Sequence, residues 1–240
     1  MLPVREKVEH TALRIKFTKT GALQYISHLD LHRTFSRLLV RRGVPVWYSE
    51  GFTPHPRLVF ATPLSVGAES LCEYMDVFVN GTAETLDMDV MRWRLSESDI
   101  DGLKIEEVYL PESKFSAITH SDYTIKIHTS VASEELAAEC EKVLKTAPLV
   151  VLKRTKSGEK DVDISSQIKD AALSFDGGDL VIKCRLSADS AGFLNPEYLV
   201  KVLKEKCGIL SGDPLKEEYS ILRTAVLAVL LSVDRTKTAI

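Results

Sequence analysis

Clustered cysteine, long apolar runs and an excess of positive charge are all missing from this 240-residue chain. Its four cysteines (Cys72, Cys140, Cys184 and Cys207) are scattered, with no C-x-x-C pair. That spacing excludes a disulfide framework, a zinc ribbon and a cluster of iron and sulfur held by the chain's own thiolates. The longest apolar run, AVLAVLLSV at 225–233, falls far short of the roughly 20 residues that cross a bilayer as a helix, and it reads as a buried strand. The first ten residues, MLPVREKVEH, hold charge but no apolar core, unlike a secretory signal. The expectation is a cytoplasmic protein with no membrane partner. A net charge of −3 argues against general polyanion binding.

That average conceals a segregation. Residues 11–60 carry eight basic side chains against two acidic ones, a local net of +6, and residues 61–120 carry four against twelve, a local net of −8. Charge separated along the chain sets up a directed field, which governs partner choice more than the total does.

Residues 12–19 (ALRIKFTK) alternate apolar with basic, the period of a half-buried strand. Ser27, three residues before Asp30, opens a helix in the manner of a capping box. Leu31, Phe35, Leu38 and Leu39 recur on one helical face, and Gly43 closes the helix. Short strands are predicted at 45–49 and 57–61, a longer one at 71–79, a helix over 83–97 and a strand over 103–110. Downstream the order recurs: strand 122–129, helix 133–146, strands 149–155 and 179–187 around an inserted segment, helix 195–207 with Pro196 in its first turn, and a last strand within 217–232. Strand–helix–strand–strand–helix–strand, twice, predicts an α+β protein of tandem ferredoxin-like (βαββαβ) modules, residues 1–115 and 116–240.

Chemistry concentrates in the first module. Arg33, Arg37 and Arg41 lie at i, i+4 and i+8, opposite the leucine face, with Arg42 beside them and Asp30 as the one nearby acid; Arg14 and Lys16 point outward from the preceding strand. A solvated helix face carries such stripes too. Unpaired arginine forks nevertheless match phosphate oxygens, and an acidic protein patch would satisfy them equally. His28 and His32 share one helix edge, with His55 of the TPHPR loop as a third member if that loop folds back. Three histidines suit zinc or iron, and one could serve as a general acid or base on RNA. H-x-x-x-H alone is nonspecific, so neither a metal site nor a catalytic residue is assigned. Pro54 and Pro56 stiffen the loop 49–60, where Trp47, Tyr48, Phe52, His55 and Arg57 offer stacking surfaces and a cation. In the second half LKRTKSGEK, 152–160, reads as a basic hairpin turning at Ser157-Gly158.

The segment FTKTGALQYISHLDLHRTFSRLLVRRG, with S-H-L-D at 27–30 and arginines 33, 37, 41 and 42, together with G-F-T-P-H-P-R at 51–57, resembles the radical-SAM-associated (radical-SAM-linked) bacterial proteins, a family of unknown function. Its members are encoded beside, or fused to, cobalamin-binding radical SAM proteins. The resemblance implies a partner, a separate radical SAM enzyme that supplies the cluster and cofactor, and implies no cofactor held by this chain. The expected function is a non-catalytic accessory protein that binds RNA (tRNA or rRNA) and works with that enzyme. The alternatives are a module that docks on the enzyme without RNA, and a histidine-dependent RNA-processing or metal-binding enzyme.

Overall fold

Leu13, Ile15 and Phe17 alternate with Arg14 and Lys16 along strand β1 (His10–Lys19), and the three apolar side chains are fully buried. The computed structural model describes residues 9–96, 99–155, 158–189 and 192–228. The chain divides between Phe115 and Ser116 into two compact units.

In the first unit β1 is followed by α1 (His28–Arg41), β2 (Leu58–Phe60), β3 (Ala68–Asn80), α2 (Met88–Leu95) and β4 (Ile105–Tyr109). The strands are antiparallel in the order β4-β1-β3-β2. Leu31, Phe35, Leu38 and Leu39 of α1 and Met91 and Leu95 of α2 join one cluster with the inward residues of β1 and β3, so both helices cover the same sheet face. Each buried leucine or phenylalanine contributes on the order of 1.5–3 kcal/mol, an upper estimate. Phe17 and Phe35 meet edge to face with centroids 4.6 Å apart. The Ser27 hydroxyl accepts the Asp30 N–H (3.2 Å) and donates to the Asp30 carboxylate (2.7 Å), which fixes where α1 starts.

Two expectations for this unit change. The strands predicted at 45–49 and 57–61 are the two halves of one interrupted edge. Val46 bridges Val79, the Trp47 N–H donates to the Phe78 carbonyl (2.8 Å), and the Phe78 N–H donates to the Arg57 carbonyl (3.1 Å) before β2 continues the ladder. Residues 48–56 are therefore an excursion from a sheet edge, closed at its base by the Arg57 N–H on the Trp47 carbonyl (3.2 Å). Helix α2 is shorter than the predicted 83–97, because a Thr82–Thr85 turn precedes it and the Asp87 carboxylate caps the Asp89 and Val90 N–H groups.

The second unit runs β5 (Ile118–His128), α3 (Glu134–Lys145), β6 (Val150–Thr155), β7 (Gly158–Asp163), β8 (Ile168–Asp176), β9 (Asp179–Ser187), α4 (Glu197–Cys207) and β10 (Glu218–Ala228). Its antiparallel order is β10-β5-β9-β8, and β6 and β7 form a separate hairpin. The predicted strand at 149–155 belongs to that inserted hairpin, while the edge position is taken by β8, which was not predicted. The Ser157 part of the predicted hairpin turn lies outside the described residues. Lys153 of this hairpin is not free: its ammonium reaches Gln167 Oε1 (3.2 Å) and the Tyr198 ring (5.2 Å), and burial pulls its pKa down. Pro196 occupies the N-cap of α4, not its first turn, and Gly208 ends the helix at φ 69°. No helix among the described residues is long and apolar enough to cross a membrane.

Candidate functional site

The alternation that buries Leu13 and Ile15 turns Arg14 and Lys16 to the sheet face opposite the helices, where both find carboxylates. Arg14 is buried and forked onto Asp76 (Nε–Oδ1 2.7 Å, Nη2–Oδ2 2.8 Å), directly across the β1–β3 ladder, with its guanidinium 4.0 Å from the Phe115 ring centroid. Lys16 donates to Glu107 at 2.9 Å, and that bond raises its pKa. The expectation that these two cations project freely is corrected. Cross-strand pairing with β3 and β4, which no short-range pattern reveals, consumes them.

The arginine stripe is also less open than its sequence suggests. Arg33 pairs with Asp30 at 3.3 Å, and Arg41 and Arg42 share Asp99 at 2.6 and 3.5 Å. Asp99 is a second acidic partner that the stripe was expected to lack. Arg37 is exposed and has no partner among the described residues. Around it on the outward face of α1 stand Leu29, Arg33 and Val40, with Leu29 57 % and Val40 53 % exposed.

The other flank of α1 carries His28, His32 and Ser36. Phe60, at the end of β2, lies against this flank, its ring centroid 5.0 Å from His28 and 6.2 Å from His32. The excursion 48–56 returns to the same region. His32 is lowered in pKa by burial first, then by the positive fields of His28 and of His55. The loop thus brings the third histidine toward the helix edge. His55 itself is oriented by its base: its backbone N–H donates to the Ser49 hydroxyl (3.2 Å), and Nδ1 lies 3.0 Å from that hydroxyl and 3.2 Å from the Thr53 carbonyl. A proton on Nδ1 would satisfy the carbonyl and leave Nε2 as the acceptor turned outward. Among the described residues no group of three or more His, Cys, Asp or Glu side chains is arranged to hold a metal ion.

Phe52, at the loop tip, is completely exposed. Arg57, where the loop rejoins the sheet, lies over Phe78 (4.5 Å to the centroid) and near Trp47 (5.9 Å), with no carboxylate partner among the described residues. Trp47 in turn stacks on His10 at 4.3 Å and 24°. His10, Phe60 and Phe78 were not singled out in the sequence. The alternation of the strands that carry them could have placed each on a face, though not beside one another.

The geometry therefore brings His28, His32 and His55 to one edge of α1, and leaves Arg37 on the outward face of that helix, Phe52 at the loop tip and Arg57 over Phe78 at the loop's return; it removes Arg14 and Lys16. Arg37 and Arg57 can each bind an anion, and the exposed and half-buried aromatic residues can stack planar groups.

The sequence profile of a family described as an uncharacterised protein conserved in bacteria (DUF2344) matches residues 12–196. No curated protein matches the chain in sequence. Among solved structures, a chain of a Cbf5-Nop10-Gar1 complex is similar over 89 % of this chain and 48 % of its own, at 9 % identity and TM-score 0.47. This chain thus spans about half the length of that neighbour. The acetolactate synthase small subunit of Thermotoga maritima is similar over 92 % and 96 %, at 8 % identity and TM-score 0.25. Neither score supports carrying anything from those proteins to this one.

Proposed function

The chain belongs to the DUF2344 family of uncharacterised bacterial proteins, and we propose that it is a non-catalytic RNA-binding accessory protein built of two ferredoxin-like modules. It takes single-stranded RNA, as in a tRNA or rRNA loop, along α1 and the loop 48–56, and presents it to a separate cobalamin-binding radical SAM protein. The partner comes from the resemblance in the S-H-L-D and G-F-T-P-H-P-R segments. The observation that carries the RNA reading is the pair of exposed, uncompensated arginines, Arg37 on α1 and Arg57 at the loop's return, together with a loop whose Phe52 is bare. A bare surface phenylalanine and two guanidinium groups without a carboxylate partner suit a base and its phosphates.

The test is RNA binding by the full chain across a salt titration. Arg37→Glu and Arg57→Glu should each weaken binding and lower the slope of log K against log salt by about one. Arg41→Glu, already paired with Asp99, should do less. Affinity at low salt that ignores Arg37→Glu and Arg57→Glu would sink the proposal.

A second reading has its own observation. Leu29 and Val40 bracket Arg33 and Arg37 on one helix face, the composition of a protein-docking patch rather than of a phosphate track. Co-purification of the radical SAM protein lost on Leu29→Asp, with RNA affinity intact, would favour docking through α1.

A further inference from the structure

The strand alternation that sends Leu13, Met75 and Val77 into the core sends His10, Phe78, Trp47 and Arg57 to the face of the first unit's sheet that carries no helix. There they form a cluster. His10 stacks on Trp47 with centroids 4.3 Å apart and tilts toward Phe78 at 5.7 Å. The Arg57 guanidinium caps Phe78 at 4.5 Å. Trp47 and Phe78 are half-buried, which fixes their planes, and Arg57 is exposed.

The charges on this face matter as much as the rings. Its carboxylates Asp76 and Glu107 are held by Arg14 and Lys16. Arg57 keeps its donors for an anion, since ring contact satisfies none of its N–H groups. A fixed aromatic cluster with one free fork and no unneutralised Asp76 or Glu107 beside it is the chemistry that takes a nucleobase together with its phosphate. An acidic peptide would use Arg57 and leave the rings idle.

We infer that the helix-free sheet face at His10, Trp47, Arg57 and Phe78 is a stacking site for an unpaired nucleobase of RNA. This rests on the RNA-binding role proposed above and extends it to the opposite side of the sheet. The excursion 48–56 leaves the edge at Trp47 and returns at Arg57, so its two ends frame the stacking site while His55 lies toward α1. A strand of RNA crossing that edge passes from the phosphate-binding helix to the stacking face.

The chain has two tryptophans, and Trp93 is largely exposed on α2, which covers the other face of the sheet. In a Trp93→Phe background Trp47 is the sole indole. Titration with oligoadenylate should quench its emission saturably, with the same midpoint as the anisotropy of a labelled copy of that oligonucleotide. Phe78→Leu, a change on a half-buried position that keeps an apolar side chain, should weaken binding roughly 5- to 150-fold, the range for losing one stacked base. Binding that leaves Trp47 emission unchanged and is indifferent to Phe78→Leu, while Phe52→Ala abolishes it, would overturn the sheet site and leave the helix-and-loop reading standing. Absence of any binding by anisotropy would overturn both.

Discussion

In the second unit several ionisable side chains of the sheet and its flanking loops are tied down locally. Asp179 holds Lys126 at 2.7 Å and His128 at 2.6 Å, Arg185 forks onto Asp122, and Glu217 gathers the Thr129 and Ser130 hydroxyls with the Ser130 and Gly212 N–H groups. Even the edge strand β8 is guarded, since the Leu173 N–H donates to the Glu141 carboxylate at 2.9 Å. The first unit has the same strand order and the same helix placement, yet Arg37 and Arg57 stand without anionic partners and Phe52 stands without cover. A charge retained for stability finds a local partner when the fold offers one. Arg14, Lys16, Arg41 and Arg42 did so within the same unit. What is left over on one helix edge, one loop and one sheet face is better explained by something outside the chain.

The sharpest way to break that division is to cut a cation assigned to stability. The Arg14 and Asp76 side chains are 6 % and 13 % exposed. Arg14→Met should cost about 3–5 kcal/mol in urea unfolding, because Asp76 is left charged and unpaired, and Arg14→Met with Asp76→Leu should recover most of it. If Arg14→Met weakened RNA binding while leaving stability alone, Arg14 would return to the binding set and the contrast within the unit would fail. Next in size is Gly102, at φ +78° with Thr20 packed against it. A Cβ there would sit 2.0 Å from the Thr20 carbonyl oxygen. Gly102→Ala should cost roughly 2–4 kcal/mol through strain and displaced backbone. RNA affinity measured on the folded fraction should not change.

In the second unit the corresponding probe is Glu217, whose carboxyl is held down to about 2, chiefly by the Ser130 N–H and then by the Thr129 and Ser130 hydroxyls. A depressed folded pKa contributes stability that is complete above the unfolded value near 4.5 and disappears as pH falls through about 2. Glu217→Gln should therefore lower the unfolding midpoint at neutral pH, because an amide N–H₂ would face donors. The gap between wild type and variant should close as the solution is acidified. A gap that persists unchanged at the acid end would mean that the side chain acts by shape rather than charge.

Much of this architecture is legible in the chain because its helices and core strands advertise themselves. The Leu31/Phe35/Leu38/Leu39 repeat with Ser27 and Asp30 marks α1, and Leu13, Ile15 and Phe17 mark β1. Strand β8, IKDAALSFD, is hidden because an edge strand with charge on its outward positions shows little apolar alternation. The hairpin β6–β7 displaced it from its expected place in the order. At the site, sequence brought out the arginines, the histidines and the loop. It could not sort free cations from bound ones, because Asp76, Glu107 and Asp99 lie 62, 91 and 58 positions from their partners. Ring neighbours such as His10 and Trp47, or Phe60 and His28, are likewise set by strand register and by the β2 edge alone.

The smallest effect expected sharpens the contrast where loop and helix meet. His32 is depressed below 6.5 by burial and by the neighbouring His28 and His55, and no carboxylate is among the causes of its shift. The sign follows from proton binding. Below 6.5 the unfolded chain takes up a proton that the folded chain resists, so the contribution of this group to stability falls as pH is lowered through that value and is flat above it. Because the ring is only part-buried and solvent screens its neighbours, the change between pH 7 and 5 should be modest. Following the His32 ring protons by NMR should give a midpoint below 6.5. His55→Ala should move that midpoint upward without restoring it fully, since burial is the larger cause. A midpoint that ignored His55→Ala would mean that the loop 48–56 does not hold its histidine near α1 in solution. The helix edge with its two histidines and the loop would then belong to separate surfaces.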